Sequence, residues 1–161
     1  MQNQTAEINL IDAFERIPVK IFPDLKQGSL SAANEIAKLV REKQSRNEKC
    51  VLGLATGSTP KALYAELVRM HKEEGLSFKN MISFNLDEYY PIENDAWQSY
   101  NSYMHRNLFD HIDVDKKNIH NPNGQLPKEE VKKQCADYER EIEDAGGIDL
   151  QILGIGKTGH I

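Results

Sequence analysis

Residues 50–75, CVLGLATGSTPKALYAELVRMHKEEG, decide the fold. The opening CVLGLA (50–55) is an unbroken apolar run, without the polar alternation of a half-solvated strand. Such a run marks a strand buried on both faces, as in a parallel sheet. TGSTP (56–60) breaks it, and Pro60 suits the first turn of a helix, where a missing N–H costs nothing. Leu63, Leu67 and Met70 then recur at helical spacing, and Gly75 supplies the stop. The unit is strand, turn, helix.

The same alternation extends in both directions. Upstream, residues 1–15 are polar with scattered apolar positions and are expected to form a mobile lead-in, followed by VKIF (19–22) as a short strand. In SLSAANEIAKLVREKQSRN (29–47), Ala33, Ile36, Ala37 and Val40 share a helical face, with Ser29 or Ser31 as N-cap. Downstream, MISFNL (81–86) reads as a strand and SYNSYMHRNLFDHI (99–112) as a helix. NPNGQLP (121–127) is turn material, and KEEVKKQCADYEREIEDAGG (128–147) is a charged helix ending in glycines. IDLQILG (148–154) reads as a third buried strand. Strands alternating with helices imply right-handed crossovers and a mostly parallel sheet. The expected fold is α/β, a Rossmann-like three-layer α/β/α arrangement forming one domain over residues 1–161.

Composition removes several classes of function. The 161 residues are 39% hydrophobic and 28% charged, enough for one ordinary domain with a core. A formal net charge of -5 and a pI near 5.6 argue against a nucleic-acid partner, which calls for a basic excess. No run approaches the length of a membrane span, and the first residues lack a signal-peptide pattern. Cys50 and Cys135 lie far apart and outside metal-ligand spacing, with Cys50 expected as a buried small hydrophobe. The chain thus reads as soluble and cytoplasmic, with reduced thiols. The lead-in and the charged helix read as solvated surface, and His71, His105, His111 and His120 are assigned no role.

In parallel sheets ligands sit beyond the carboxyl ends of the strands. That rule selects three places. After Ala55, Gly57 permits close approach of the backbone, while Thr56, Ser58 and Thr59 bring hydroxyls to a helix N-terminus suited to phosphate. The same residues also make an ordinary capped turn. After Leu86, Asp87 and Glu88 should point in opposite directions, so that one can face a crevice as a general base. Taken alone, they read more readily as a surface acidic pair leaving a strand. After the last strand, GIGKTG (154–159) satisfies the glycine pattern of a dinucleotide fingerprint, and its GKT resembles a P-loop. The P-loop reading fails because Gln151 stands where glycine is needed. His160 by itself fits a catalytic or a structural role.

Taken together, LGLATGSTP, FNLDEYY, SYNSYMHRNLFDHI and LGIGKTGHI stand in the order and spacing of one family. From about residue 50 to its last residue the chain resembles the glucosamine-6-phosphate deaminases. The related 6-phosphogluconolactonases share the fold and a similar Gly-His segment, but FNLDEYY and Ile161 look more like the deaminases. The resemblance implies conversion of glucosamine 6-phosphate and water to fructose 6-phosphate and ammonia, without metal or organic cofactor, by a homo-oligomer. It assigns the phosphate to Thr56, Gly57, Ser58 and Thr59, the C2 proton to Asp87 and ring opening to His160. Glu88, Gly156 and Thr158 complete the implied substrate contacts. Trp97 is a candidate wall of the sugar pocket and equally a packing anchor.

Two departures qualify this picture. The family places an aspartate two residues before the histidine, where Thr158 stands here and cannot supply a negative charge. The family's glutamate beyond the histidine and its later basic residues have no counterpart in these residues. The chain is therefore expected to be the front part of a longer protein, truncated at the C-terminal end of the fold and inactive alone. Two other readings stand beside the deaminase: a sugar-phosphate sensor weakened by Thr158, and a nucleotide-binding module built on GIGKTG.

Overall fold

The structure, a computed structural model, describes residues 17–161. The expected mobile lead-in at 1–15 lies outside the described residues. Helix α1 spans Leu25–Ser45, five to seven residues earlier than caps at Ser29 or Ser31 predicted. Asp24 is the N-cap, its Oδ1 accepting the Gln27 N–H at 2.8 Å. A carboxylate caps at least as well as a serine and also complements the helix dipole. Ser29 is buried inside the helix instead. VKIF (19–22) forms no strand, and Val19 and Ile21 are 53% and 92% exposed. Pro18 and Pro23 bracket the segment and remove two backbone donors, which discourages sheet pairing.

Strand β1 (Cys50–Leu54) is buried at every residue, as the apolar run predicted. Helix α2 (Lys61–Glu74) begins behind Pro60 and ends at Gly75, whose φ of 69° is the left-handed conformation that favours glycine. Strand β2 covers Met81–Asn85, helix α3 Tyr100–Asn107, strand β3 Ile119–His120, helix α4 Lys128–Asp144 and strand β4 Leu150–Gln151. The expected helix at 99–112 is thus shorter, its end tightening into a 3-10 turn at Phe109–His111. Strand β3, directly ahead of the NPNGQLP turn, carries no sequence signal of its own.

Strand order is β3-β2-β1-β4, and every neighbouring pair is parallel. From β1 to β3 the chain moves one way across the sheet, and α4 then carries it back to the opposite edge. Right-handed crossovers put α2 and α3 on one face and α4 on the other. The side chains agree. Cys50, Leu52, Leu54 and Met81 join the core formed with α1, α2 and Met104 of α3. Phe84, from the opposite face, meets Tyr138 of α4 edge-on at 5.5 Å. Burial pushes the Cys50 thiol up to about 12, in keeping with an inert core residue.

Strand β4 differs from the expected buried strand at 148–154. It pairs over two residues only and is half-buried. Among the described residues it has a neighbour on one side alone, so half of its surroundings is open. Asp149 anchors it: Oδ2 accepts the Val51 N–H at 2.9 Å, and Oδ1 pairs with Lys43 of α1 at 2.6 Å. Burial pushes the Asp149 carboxyl upward, but Lys43 and the Val51 amide outweigh it and hold it below the usual range.

Two substitutions test this framework. Tyr64 is fully buried and donates its hydroxyl to Ala55 O at 2.5 Å. Tyr64→Phe strands that carbonyl and is expected to lower urea-unfolding stability by about 1–2 kcal/mol. A Cβ on Gly124 would stand 2.5 Å from Tyr89 O and from Ile92 Cγ2. Gly124→Ala is expected to cost about 1–3 kcal/mol in the same measurement, because the loop after β2 must shift.

Candidate active site

The end of β1 is held by tyrosines. Tyr64 takes Ala55 O, and the Tyr103 hydroxyl donates to Gly57 O at 2.6 Å. Gly57 adopts φ 105°, a conformation other residues rarely take, so the chain turns sharply before α2. No side chain caps α2 at Pro60. The first-turn N–H groups and the positive end of the dipole therefore lie beside Thr56, Ser58 and Thr59, available to an anion.

The end of β2 behaves differently. The Leu86 N–H still reaches Leu54 O at 3.3 Å, after which Asp87 and Glu88 diverge. Glu88 turns to α3: Oε1 accepts the Tyr89 and Tyr100 N–H groups and Oε2 the Asn101 N–H, each at 2.9 Å. Both oxygens of this expected substrate ligand are thus engaged with backbone. Asp87 stays on the rim. Desolvation by its surroundings, then the Glu88 charge, pushes its carboxyl above the ordinary aspartate value, while nearby His160 pulls it down.

Tyr100 ties these ends together. Its ring packs on Tyr89 at 4.6 Å between centroids. Its phenol is pushed up to about 12, chiefly by hydrogen bonding with Tyr89, then by burial and by the charges of Tyr89 and Asp87, while the Thr56 hydroxyl lowers it. The Leu54–Asn85 pairing of β1 with β2 brings Thr56 and Asp87, each two residues further on, to the same rim, and Glu88 holds the Tyr100 N–H beside them. Asn85, two residues before Asp87, is 2% exposed, and its carboxamide has no protein partner. Nothing in the sequence distinguished Tyr100 or Asn85 from other polar residues of a helix and a strand.

Beyond β4, Ile152 N–H donates to Gly53 O at 2.8 Å, and residues 154–161 run exposed along the rim. Gly159 has φ 80°; its N–H donates to Gly156 O at 2.9 Å, and the Gly156 N–H to His160 O at 2.7 Å. This small loop carries Gly156, Thr158 and His160, with His160 close enough to act on the Asp87 charge. Adjacent strands β1 and β4 belong to crossovers on opposite faces, which opens the crevice where parallel sheets hold ligands. The Thr56–Thr59 loop and the Gly156–His160 loop border it, with Asp87 on the neighbouring strand.

Two clefts flank the rim. One, of about 300 Å³, is lined by Asp87, Tyr89, Tyr90, Gly124, Cys135 and Tyr138 among others. The second, about 480 Å³ and mostly apolar, lies between Leu25, Ala55, Thr59, Leu63 and Ile152. Trp97 lines neither. It is 74% exposed and stacks on Arg106 of α3 at 3.8 Å, because the guanidinium also binds its carbonyl at 2.8 Å. Among the described residues, no group of three or more His, Cys, Asp or Glu could hold a metal ion, and no helix is long and apolar enough to cross a membrane.

Comparison with known proteins places this arrangement. The family model for glucosamine-6-phosphate isomerases/6-phosphogluconolactonase matches residues 23–161. A glucosamine-6-phosphate deaminase-like protein of Bacteroides thetaiotaomicron is 45% identical over 155 residues, 96% of this chain and 23% of that protein. A glucosamine-6-phosphate deaminase of a Thermoanaerobacter species is 48% identical over 143 residues, 89% of this chain and 54% of the relative. A solved monomeric glucosamine-6-phosphate deaminase superposes with a TM-score of 0.84 at 38% identity, covering 90% of this chain and 58% of that one. The chain spans about half the length of these two deaminases. With the family model matching residues 23–161, the chain belongs to the glucosamine-6-phosphate isomerase/6-phosphogluconolactonase family.

Proposed function

We propose that the complete protein deaminates and isomerises glucosamine 6-phosphate to fructose 6-phosphate and ammonia. The observation that carries this is the convergence of the Thr56–Thr59 loop, Asp87 and His160 on one rim of the sheet. The phosphate sits at the open N-terminus of α2, held by first-turn N–H groups and the hydroxyls of Thr56, Ser58 and Thr59. His160 moves the proton from the anomeric hydroxyl to the ring oxygen, which opens the pyranose to the aldehyde. Asp87 then removes the C2 proton, made acidic by the adjoining carbonyl, and the proton is returned at C1. The resulting 2-imine takes up water and releases ammonia. Thr158 offers a hydroxyl at this position, without the compensating charge of an aspartate.

A general base must be deprotonated to act. Because the Asp87 carboxyl lies above the ordinary aspartate value, activity is expected to fall at a higher pH than an unperturbed aspartate would dictate as solutions are acidified. A pH profile of kcat/KM, which reports the free enzyme, checks this.

Asp87→Asn in the complete protein is expected to lower exchange of the C2 proton with solvent deuterium by about 10²-fold or more. Exchange at the wild-type rate would remove Asp87 from the role of base. Thr158 supports a second reading, a sugar-phosphate sensor with weakened chemistry. Stabilisation by glucosamine 6-phosphate in thermal shift, without ammonia release, would favour it. Hydrolysis of 6-phosphogluconolactone without deamination would favour the other branch of the family.

A further inference from the structure

Glu88 was expected among the substrate ligands, yet its geometry describes another task. Three backbone N–H groups converge on its carboxylate: Tyr89 next in sequence, then Tyr100 and Asn101, which open α3. Residues 89–99 thereby become a closed loop. One end is the strand end bearing Asp87, and the other is the first turn of the helix bearing Tyr100. We infer that Glu88 is a positioning residue, a carboxylate clamp that joins the end of β2 to the N-terminus of α3 and so sets Asp87 against Tyr100 and Thr56.

The chemistry favours this arrangement. A carboxylate that accepts charge-assisted hydrogen bonds at a helix N-terminus is held in one orientation. Ser99 completes the cap, its Oγ accepting the Ser102 N–H at 3.0 Å while donating to Asn94 O at 2.7 Å. The α3 terminus is thereby filled by the protein itself, whereas that of α2 stays open to an anion. The clamp also places a fixed negative charge beside Asp87. The groups facing Asp87 are Glu88 and Tyr89 on its own loop, Tyr100 at α3, His160 beyond β4, and Tyr138 and Glu139 of α4 across the shared cleft. Among these the Glu88 charge raises the Asp87 carboxyl, and His160 opposes it.

This inference rests on the assignment of Asp87 as base, and it is tested in two ways that separate the two ideas. The first needs no turnover. In carbon-13-labelled protein, Glu88→Gln is expected to move the Tyr100 and Asn101 amide resonances. It should also lower the titration midpoint of the Asp87 carboxyl carbon, because the neighbouring negative charge is gone. Glu88→Asp keeps the charge but shortens the reach, and should move the amides while leaving the midpoint close to wild type. The second test is C2-proton exchange in the complete protein. Both variants should lose about tenfold or more in kcat with KM within about twofold, the pattern of lost positioning. Unmoved amides and midpoint in Glu88→Gln would overturn the clamp, as would a raised KM at wild-type kcat. Absence of exchange in the wild type would instead overturn the assignment of Asp87, while the carbon titration still decides the clamp.

Discussion

Parallel pairing of β1 with β2 on one side and β4 on the other is the constraint from which everything else follows. Parallel strands bring their carboxyl ends to the same edge of the sheet. Loops that begin 31 residues apart for β1 and β2, by their paired first residues Cys50 and Met81, therefore open side by side. The pairing is held by burial on both faces of β1, which no half-exposed position could replace. The reversal of the chain through α4 then places β4 beside β1 and creates the crevice.

Tyrosine hydroxyls fasten the rim that results. Tyr64 and Tyr103 hold the carbonyls of Ala55 and Gly57, and Tyr138 donates to Asn85 O at 2.9 Å and to His120 O at 3.0 Å. Each strand end leaves carbonyls that the ladder no longer satisfies, and a buried carbonyl without a donor is costly. A phenol reaches from a neighbouring helix, buries its ring and meets that need. Burial raises the pKa of all three phenols, which keeps them protonated and able to donate. Tyr138 has a further consequence. Helix α4 has no fully buried residue, and this phenol and the His120–Glu141 contact at 2.8 Å tie it to the strand ends.

The two helix N-termini near the rim divide the electrostatic work. Behind Pro60, α2 has no side-chain cap and presents its dipole to the crevice. Glu88 already occupies the terminus of α3. Of the two, α2 leaves its first-turn N–H groups without a side-chain acceptor, next to the hydroxyls of Thr56, Ser58 and Thr59. The acidic Asp87 remains on the neighbouring strand end.

Several of these features were legible in the residues themselves. The apolar run at 50–55 forms β1, the helical spacing at 61–74 forms α2 and Gly75 stops it, because local burial and backbone freedom act within a few residues. That strands alternate with helices in a parallel sheet was legible as well. Other features depended on neighbours distant in the chain. Asp24 displaced the serine caps of α1, and among the described residues VKIF pairs with no strand and β4 pairs over two residues with one neighbour. The divergence of Asp87 from Glu88 was readable from strand geometry, but their separate tasks were not. Alternation says that adjacent side chains part. Only the arrival of the α3 N-terminus turns one carboxylate into a clamp and leaves the other on the rim, because hydrogen-bond partners and desolvation are supplied by tertiary neighbours.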